Sequence, residues 1–269
     1  MDKPLITVIT VCYNSIDTIE KTIMSVLSQT YTNIEYIIVD GASTDGTVEV
    51  IKRYKDLLSA FVSEPDKGIY DAMNKAIAMS HGKWVNFINS GDTFVNNQVI
   101  ENVFSKSYND DVKVIYGDVV RTFSDQGTTV QRFDNLKGGT IQYNLNHQST
   151  FADGDTIRAL KFDLKYRLAA DANFFNEVYK HGGNFQYVPI VISNYDAVDG
   201  ASAKQLITLF NEYADIKGLS KCSLRRIWGH IKMRIQVFLM EILPQNIYNK
   251  LIHLYVDNVV VKKTSKKLR

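Results

Sequence analysis

Two cysteines in 269 residues, Cys12 and Cys222, stand far apart, and neither has a metal-ligating partner at short spacing. A disulfide framework is excluded, and two reduced thiols of a cytoplasmic protein are the expectation. No apolar run reaches the ~20 residues that a membrane-spanning helix requires. Met1 to Pro4 leads directly into a strand-like run, so no secretory signal is expected. Internal repeats and low-complexity segments are absent. So is a Gly-X-Gly-X-X-Gly after the first strand, where Cys12-Tyr13-Asn14-Ser15 stands instead. That absence argues against a nucleotide-dependent dehydrogenase on a dinucleotide-binding fold.

The composition is that of a globular protein, 45% hydrophobic and 22% charged, long enough for one large α/β domain with an appendage or for two small domains. The net charge of +2 conceals an asymmetry. Residues 221–269 carry 11 Lys and Arg against Glu241 and Asp257, a balance of +9. Residues 1–220 carry 20 basic and 27 acidic side chains, a balance of −7. An acidic body and a basic tail are expected to do different jobs. The predicted division is a catalytic domain over 1–220, with halves 1–95 and 96–220, and a basic amphipathic helical tail over 221–269.

Leu5 to Cys12 is a continuous β-branched run, as expected of a strand buried on both faces. Ile19, Ile23, Val26 and Leu27 follow at helical spacing, with Ser15 and Asp17 as candidate caps. Ile34 to Val39 reads as a second strand, Ser43–Thr47 as the opening of a second helix running to about Leu58, and Ala60 to Ser63 as a third strand. A helix over Ile69 to Ser80 and a strand over Lys83 to Ile88 complete the alternation. This order predicts parallel strands with right-handed crossovers, an α/β fold with a mostly parallel central sheet flanked by helices. Further on, the pattern predicts a helix at Val99–Phe104 and a strand at Val112–Phe123 with a hairpin partner at Thr128–Phe133. A helix at Ala170–His181, a strand at Phe185–Ile192 and a helix at Ala203–Lys217 follow. Helical patches at Leu224–Leu243 and from Asn246 to about Val259 end the chain.

Four polar constellations sit where strands end, the place where open α/β sheets bind ligands. Tyr13-Asn14 can stack on and hydrogen-bond a nucleobase, and is equally an ordinary turn. Asp40 can accept hydrogen bonds from a base or ribose, with Gly41 and Gly46 allowing close approach, while Ser43 and Asp45 suit helix capping. Lys67 can contact phosphate, and Asp66 can bind the nucleoside or orient Lys67; a capped loop with a solvated ion pair fits as well. Asn89-Ser90-Gly91-Asp92 places a carboxylate beyond a small Ser-Gly pair, suited to a hard divalent cation bridging phosphates, or to a plain turn. Asp171 stands at the start of a helix, where an N-cap is the simplest reading. His147-Gln148 is a further polar cluster, either ligand-binding or structural.

In combination, ITVCYN, SQTYTNIEYIIVDGASTDGT, SEPDKGIYDAMNKAI and GKWVNFINSGD resemble the amino-terminal half of family 2 glycosyltransferases, across roughly residues 5 to 95. That resemblance implies the Rossmann-like GT-A fold of nucleotide-diphospho-sugar transferases and an inverting transfer from a UDP-linked sugar. It implies nucleotide contacts from Val11, Tyr13, Asp40, Asp66, Lys67, Asn74, Ser90 and Gly91, and Mg²⁺ or Mn²⁺ on Asp92. It makes Asp171 the general base and assigns His147 and Gln148 to the diphosphate or the acceptor. The Ser-Gly-Asp form looks like the subgroup that builds bacterial surface polysaccharides on saccharide or lipid-linked saccharide acceptors. Asn89 and Gly91 depart from the family's acid-rich motif. They support the competing expectation of a non-catalytic nucleotide-sugar-binding or scaffolding protein.

In the tail, Leu224, Ile227, Ile231, Ile235, Phe238 and Ile242 form an apolar stripe flanked by Arg and Lys, the pattern of an interfacial membrane helix or, as the plainer alternative, of a terminal helical hairpin docked on the catalytic body. Lys262 to Arg269 adds a basic cluster that anionic inner-leaflet lipids attract by about 1 kcal/mol per cation near the surface. The expected location is therefore cytoplasmic, on the inner-membrane surface. Nucleic acid is not an expected partner, because no base-reading motif accompanies the charge.

Overall fold

The structure, a computed structural model, describes residues 3–123, 127–134, 140–196 and 205–242. It falls into two compact units, residues 1–204 and 205–269. The packing break therefore does not coincide with the charge break at 220/221. The Leu206–Ile216 helix falls in the second unit because it packs on the Leu224–Ile242 helix.

The first unit is built on a mixed sheet of nine strands in the order β3-β2-β1-β4-β8-β6-β9-β5, with β7 beside β6. Its first half follows the sequence closely: β1 (Ile6–Cys12), α1 (Ile19–Leu27), β2 (Ile34–Asp40), α2 (Thr47–Lys52), β3 (Ala60–Ser63), α3 (Ile69–Met79) and β4 (Trp84–Phe87). All residues of β1 are buried, as its unbroken β-branched run requires of a central strand. β1 pairs in parallel with β2 on one side and β4 on the other, so the strand order reverses at β1. A crevice for a ligand opens at such a switch point, beyond the strands' carboxyl ends. The second helix is shorter than its pattern, since a 3₁₀ turn at Lys55–Leu57 replaces its last stretch.

The second half holds β5 (Thr93–Phe94), α4 (Val99–Val103), β6 (Val112–Phe123), β7 (Gly127–Gln131), β8 (Thr150–Asp153), α5 (Gly154–Leu160), α6 (Ala170–Lys180) and β9 (Asn184–Asp196). β5, β8 and α5 carry no periodicity long enough to be read from sequence. β8 is the hinge of the sheet, antiparallel to both β4 and β6. It fastens the two halves of the sheet together and carries residues 147–149 into the crevice. The hairpin tip at 125–126 lies outside the described residues.

The carboxyl end of β4 is pinned by a buried polar contact. Thr10 Oγ1 donates to Ile88 O at 2.6 Å and meets the Tyr36 hydroxyl at 3.0 Å. Burial raises the Tyr36 phenol far above its ordinary pKa, so it stays protonated and able to donate.

In the second unit, the Leu224–Ile242 helix packs on the Leu206–Ile216 helix through Gly229 and His230 against Phe210. A Cβ at Gly229 would meet the Phe210 ring at 2.5 Å, so the close approach depends on glycine. Arg226, buried, bonds Asp215 and Leu219 O. The apolar stripe expected of this helix lies on the outside: Leu224, Ile227, Trp228, Ile231, Ile235, Phe238 and Ile242 are all exposed, Trp228 by 68%. No helix among the described residues is long and apolar enough to cross a membrane. The patch from Asn246 to Val259 and the cluster Lys262–Arg269 lie outside the described residues.

Replacing Thr10 with Val removes the buried donor to Ile88 O and the partner of the Tyr36 hydroxyl. Stability should fall by about 1–3 kcal/mol, measured as a lower midpoint in chemical denaturation at unchanged m-value.

Candidate active site

The strand-end loops converge on the crevice, each held by its own hydrogen bonds. After β1, the Tyr13 side chain stands 63% exposed. Asn14, at φ 46, accepts from Thr44 N–H at 3.0 Å and so ties this loop to the one after β2. Val11 is buried, and its carbonyl accepts from Ser90 N–H at 3.1 Å.

Asp40 is fully buried. Its carboxylate accepts from Ser43 N–H at 2.9 Å, Ser63 Oγ at 2.7 Å, the Ser43 hydroxyl and the Cys12 thiol. Burial and the adjacent Asp40 carboxylate raise the Cys12 pKa strongly, so the thiol stays protonated. In this state Asp40 organises the crevice floor, with its acceptors turned onto the loop rather than toward a base or ribose. Ser43 is its partner and not a helix cap. Asp45 does serve the helix start, accepting from Thr47 N–H at 3.0 Å and Thr47 Oγ1 at 2.6 Å, while its other oxygen accepts from Ile16 N–H.

Gly41 is the close-approach position. A Cβ there would meet Asp66 Oδ2 at 2.5 Å and the Tyr13 ring at 3.3 Å. Glycine thus lets Asp66 and the exposed Tyr13 ring stand on one patch. Asp66 Oδ1 accepts from Gly68 N–H at 2.8 Å, so it does not orient Lys67, whose ammonium is exposed and has no ion-pair partner among the described residues. Asn74 is placed differently from the expected nucleotide contact. Its amide clamps Phe162, donating to the carbonyl at 2.8 Å and accepting from the N–H at 2.9 Å.

The run Asn89–Asp92 is a turn closed by Asp92 N–H to Asn89 O at 2.9 Å, with Gly91 at φ 96 where a side chain would be strained. Helix α1 holds it: Thr18 Oγ1 meets Ser90 Oγ at 2.9 Å, and Thr22 Oγ1 accepts from Gly91 N–H and donates to Asp92 O. Thr18 and Thr22 brace this turn, a role that only the fold reveals. The Asp92 side chain, in a residue 8% exposed, accepts from Gln148 Nε2 at 3.1 Å.

Asp171 is not the N-cap of α6; Ala169 is. Its carboxylate instead faces the crevice side of α3. Oδ1 accepts from Ala172 N–H at 2.8 Å and shares the Tyr70 hydroxyl hydrogen with Leu168 O, at 3.0 and 3.1 Å. Oδ2 pairs with His147 Nδ1 at 3.0 Å. Tyr70 and Asn74, four residues apart on α3, fasten the Phe162–Asp171 segment from one helix face. The other ring nitrogen of His147, Nε2, meets Asn89 Nδ2 at 2.9 Å. Both nitrogens of His147 are therefore committed within the protein, and Gln148 is committed to Asp92.

The consecutive residues His147 and Gln148 thus touch one acid each, from a single 3₁₀ turn. Asn86, buried on β4, holds that turn by donating to Thr150 O at 2.7 Å and, more weakly, to Gln148 O at 3.4 Å. Among the described residues no group of three or more His, Cys, Asp or Glu side chains converges as a metal cage. The oxygens near the crevice are hard donors, the Asp92 carboxylate and the amide oxygen of Asn89, which is buried without a hydrogen-bond partner among the described residues. That donor set fits a cation whose remaining ligands are diphosphate oxygens and water.

A switch-point crevice with an exposed aromatic ring, an exposed lysine and two separately held acids is an arrangement suited to binding a ligand in an α/β fold. The chain belongs to glycosyl transferase family 2, whose pattern matches residues 7–167. A Mycobacterium tuberculosis glycosyltransferase, Rv1514c, is 30% identical over 192 residues, covering 64% of this chain and 67% of the relative. WfaP of Escherichia coli, a UDP-Glc:α-D-GlcNAc-diphosphoundecaprenol β-1,3-glucosyltransferase, is 38% identical over 96 residues, 35% of this chain and 38% of that protein. Among solved structures, S. aureus TarS 1–349 with UDP-GlcNAc superposes with a TM-score of 0.66 at 16% identity, over 81% of this chain and 68% of that one. The mannosyltransferase PcManGT of Pyrobaculum calidifontis, with GDP-Man and Mn²⁺, gives 0.64 at 16% identity over 96% and 81%. The fold is GT-A-like.

Asn86→Ala should lower stability by about 1–3 kcal/mol through unpaired buried carbonyls. It should also speed hydrogen exchange at Ser149 N–H, whose bond to Asn146 O closes the 3₁₀ turn. Unchanged exchange there would contradict the anchoring role of Asn86.

Proposed function

We propose that this chain is an inverting, metal-dependent hexosyltransferase that moves a sugar from a UDP-linked donor to a saccharide or lipid-linked saccharide acceptor in cell-surface polysaccharide synthesis. The observation that carries the reading is the placement of two acids on one strand-end crevice, Asp92 and Asp171, each fixed by its own residue of the His147–Gln148 turn. Family membership supports sugar transfer, while WfaP's donor and TarS's bound UDP-GlcNAc support a UDP-linked substrate. The diphosphoundecaprenol acceptor in WfaP's name supports a lipid-linked one, and the similarity of TuaG of Bacillus subtilis, named for teichuronic acid biosynthesis, supports a surface glycan.

In this reading the nucleoside lies on the Tyr13–Gly41–Asp66 patch, with Val11 and Asp40 shaping the floor. The diphosphate extends past Lys67 toward Ser90, Gly91 and Asp92. Asp171 takes the proton from the acceptor hydroxyl as that oxygen forms its bond to the anomeric carbon. The bond from that carbon to the diphosphate breaks on the opposite face, and the nucleoside diphosphate departs with the electron pair. Lys67 offsets part of its charge. Asp92 would hold Mg²⁺ or Mn²⁺, with the Asn89 amide oxygen as a further donor; the cation supplies charge stabilisation to the leaving group.

Asp171→Asn should leave donor affinity near wild type and reduce turnover by about 10²–10⁴-fold, the usual worth of a general base. Asp92→Ala should abolish the Mn²⁺-dependent part of thermal stabilisation by UDP-sugars. Near-normal transfer by Asp171→Asn, or stabilisation by no nucleotide sugar with or without Mn²⁺, would sink the assignment and favour a non-catalytic protein.

We further place the second unit on the cytoplasmic membrane surface. Its long helix turns an apolar stripe outward, with Arg225 and Arg234 exposed beside it, an arrangement that water disfavours and an anionic bilayer rewards. The full chain should bind phosphatidylglycerol vesicles more tightly than phosphatidylcholine ones, and an Ile231→Glu, Ile235→Glu, Phe238→Glu variant should bind neither. Equal binding by the variant would rule this surface out.

A further inference from the structure

Position 89 is where this chain departs from the acid-rich motif, and the amide there has a definite partner. Asn89 is 8% exposed, and its Nδ2 lies 2.9 Å from His147 Nε2. With its NH₂ toward the ring, the Asn89 amide can only donate, and the ring nitrogen it faces is then the unprotonated acceptor. The ring proton of the neutral imidazole then sits on Nδ1, which is 3.0 Å from Asp171 Oδ2. A carboxylate in place of Asn89 would reverse this, accepting from Nε2–H and competing for the same proton.

The acceptor count at Asp171 gives this tautomer a consequence. Each carboxylate oxygen offers two lone-pair sites. Oδ1 already accepts from Ala172 N–H and Tyr70 OH. Among the described residues Oδ2 accepts only from His147, which leaves its second site for a substrate hydroxyl. The Nδ1–H bond also survives proton transfer, because Oδ2 can take the new proton on one site and keep His147 on the other.

We propose that Asn89 and His147 are positioning residues for the base: Asn89 fixes the imidazole as the Nδ1–H tautomer, and His147 holds Asp171 Oδ2 toward the acceptor. His147 is then not a ligand of the diphosphate. The inference rests on the reading of Asp171 as the base.

The test has a spectroscopic arm that is independent of substrate. In the ¹⁵N-labelled full chain, His147 is assigned among the five histidines by its loss in His147→Asn. Its ring should show the Nδ1–H pattern; an Nε2–H pattern, or protons on both nitrogens, overturns the proposal. In Asn89→Ala the ring should shift toward a tautomer mixture, and an unchanged pattern overturns the role of Asn89.

The kinetic arm follows UDP release from UDP-glucose and UDP-N-acetylglucosamine with Mn²⁺. His147→Ala should lower kcat about tenfold to a hundredfold, with KM for the donor within about twofold, as expected for loss of a hydrogen bond to a charged group. His147→Asn, whose Nδ2 replaces Nδ1 as donor to Asp171, should recover most of that loss. A raised KM at unchanged kcat would make His147 a donor ligand and overturn the proposal. An active Asp171→Asn with the tautomer intact would instead overturn the base assignment, and this inference with it.

Discussion

The site depends on one buried amide. Asn86 sits inside β4 with no exposed surface, where a polar side chain is costly unless its hydrogen bonds are made. Its Nδ2 bonds to Thr150 O and Gln148 O fasten β8 and the turn before it to the central parallel strands. Everything specific about the crevice follows from where that turn lies, because His147 and Gln148 reach the two acids only from there. Among the described residues the Asn86 oxygen is left without a partner, as is that of Asn89. Two unpaired buried acceptors near one crevice cost about 1–3 kcal/mol each. Such a local cost is typical of sites shaped for function rather than stability.

The first ninety residues were legible because their signals are local. A strand buried on both faces must read as an unbroken β-branched run, and Leu5–Cys12 and Ile34–Val39 do. Helix α3 shows its apolar spacing, and the strand ends follow from both. What the sequence could not show is side-chain direction and pairing across long separations. Asp171 at a helix start looks like an N-cap, and only the fold turns it toward Tyr70 and His147 from residues far away in sequence. Asn74 looks like a polar residue beside a binding loop, yet its amide reaches Phe162. Thr18 and Thr22 carry no signal of their own in the sequence, yet they brace the Asn89–Asp92 turn. β8 is too short, at four residues, to carry a pattern, although it decides where the His-Gln turn goes.

The tail shows a different limit of periodicity. The spacing of Leu224, Ile227, Ile231, Ile235, Phe238 and Ile242 locates an apolar face but does not say which way it turns. In an ordinary two-helix packing that face would be buried. Here Gly229 lets Phe210 come close on the polar side, and buried Arg226 is anchored on Asp215. The helix is thereby held with its apolar face outward, which makes the stripe a feature seeking a partner.

The missing acids of the motif also acquire a physical reason. Two carboxylates in one turn, facing a diphosphate, repel each other and the donor, and depend on the cation to offset that charge. An amide at position 89 removes one negative charge while keeping a hard oxygen. It also does something that a carboxylate cannot, because its NH₂ can donate to the His147 ring. In the proposed arrangement that donation leaves the ring proton on Nδ1, facing Asp171. In the proposed mechanism the amide therefore moves the influence of position 89 from the leaving-group side of the reaction to the base side, and leaves Asp92 as the acid of that turn.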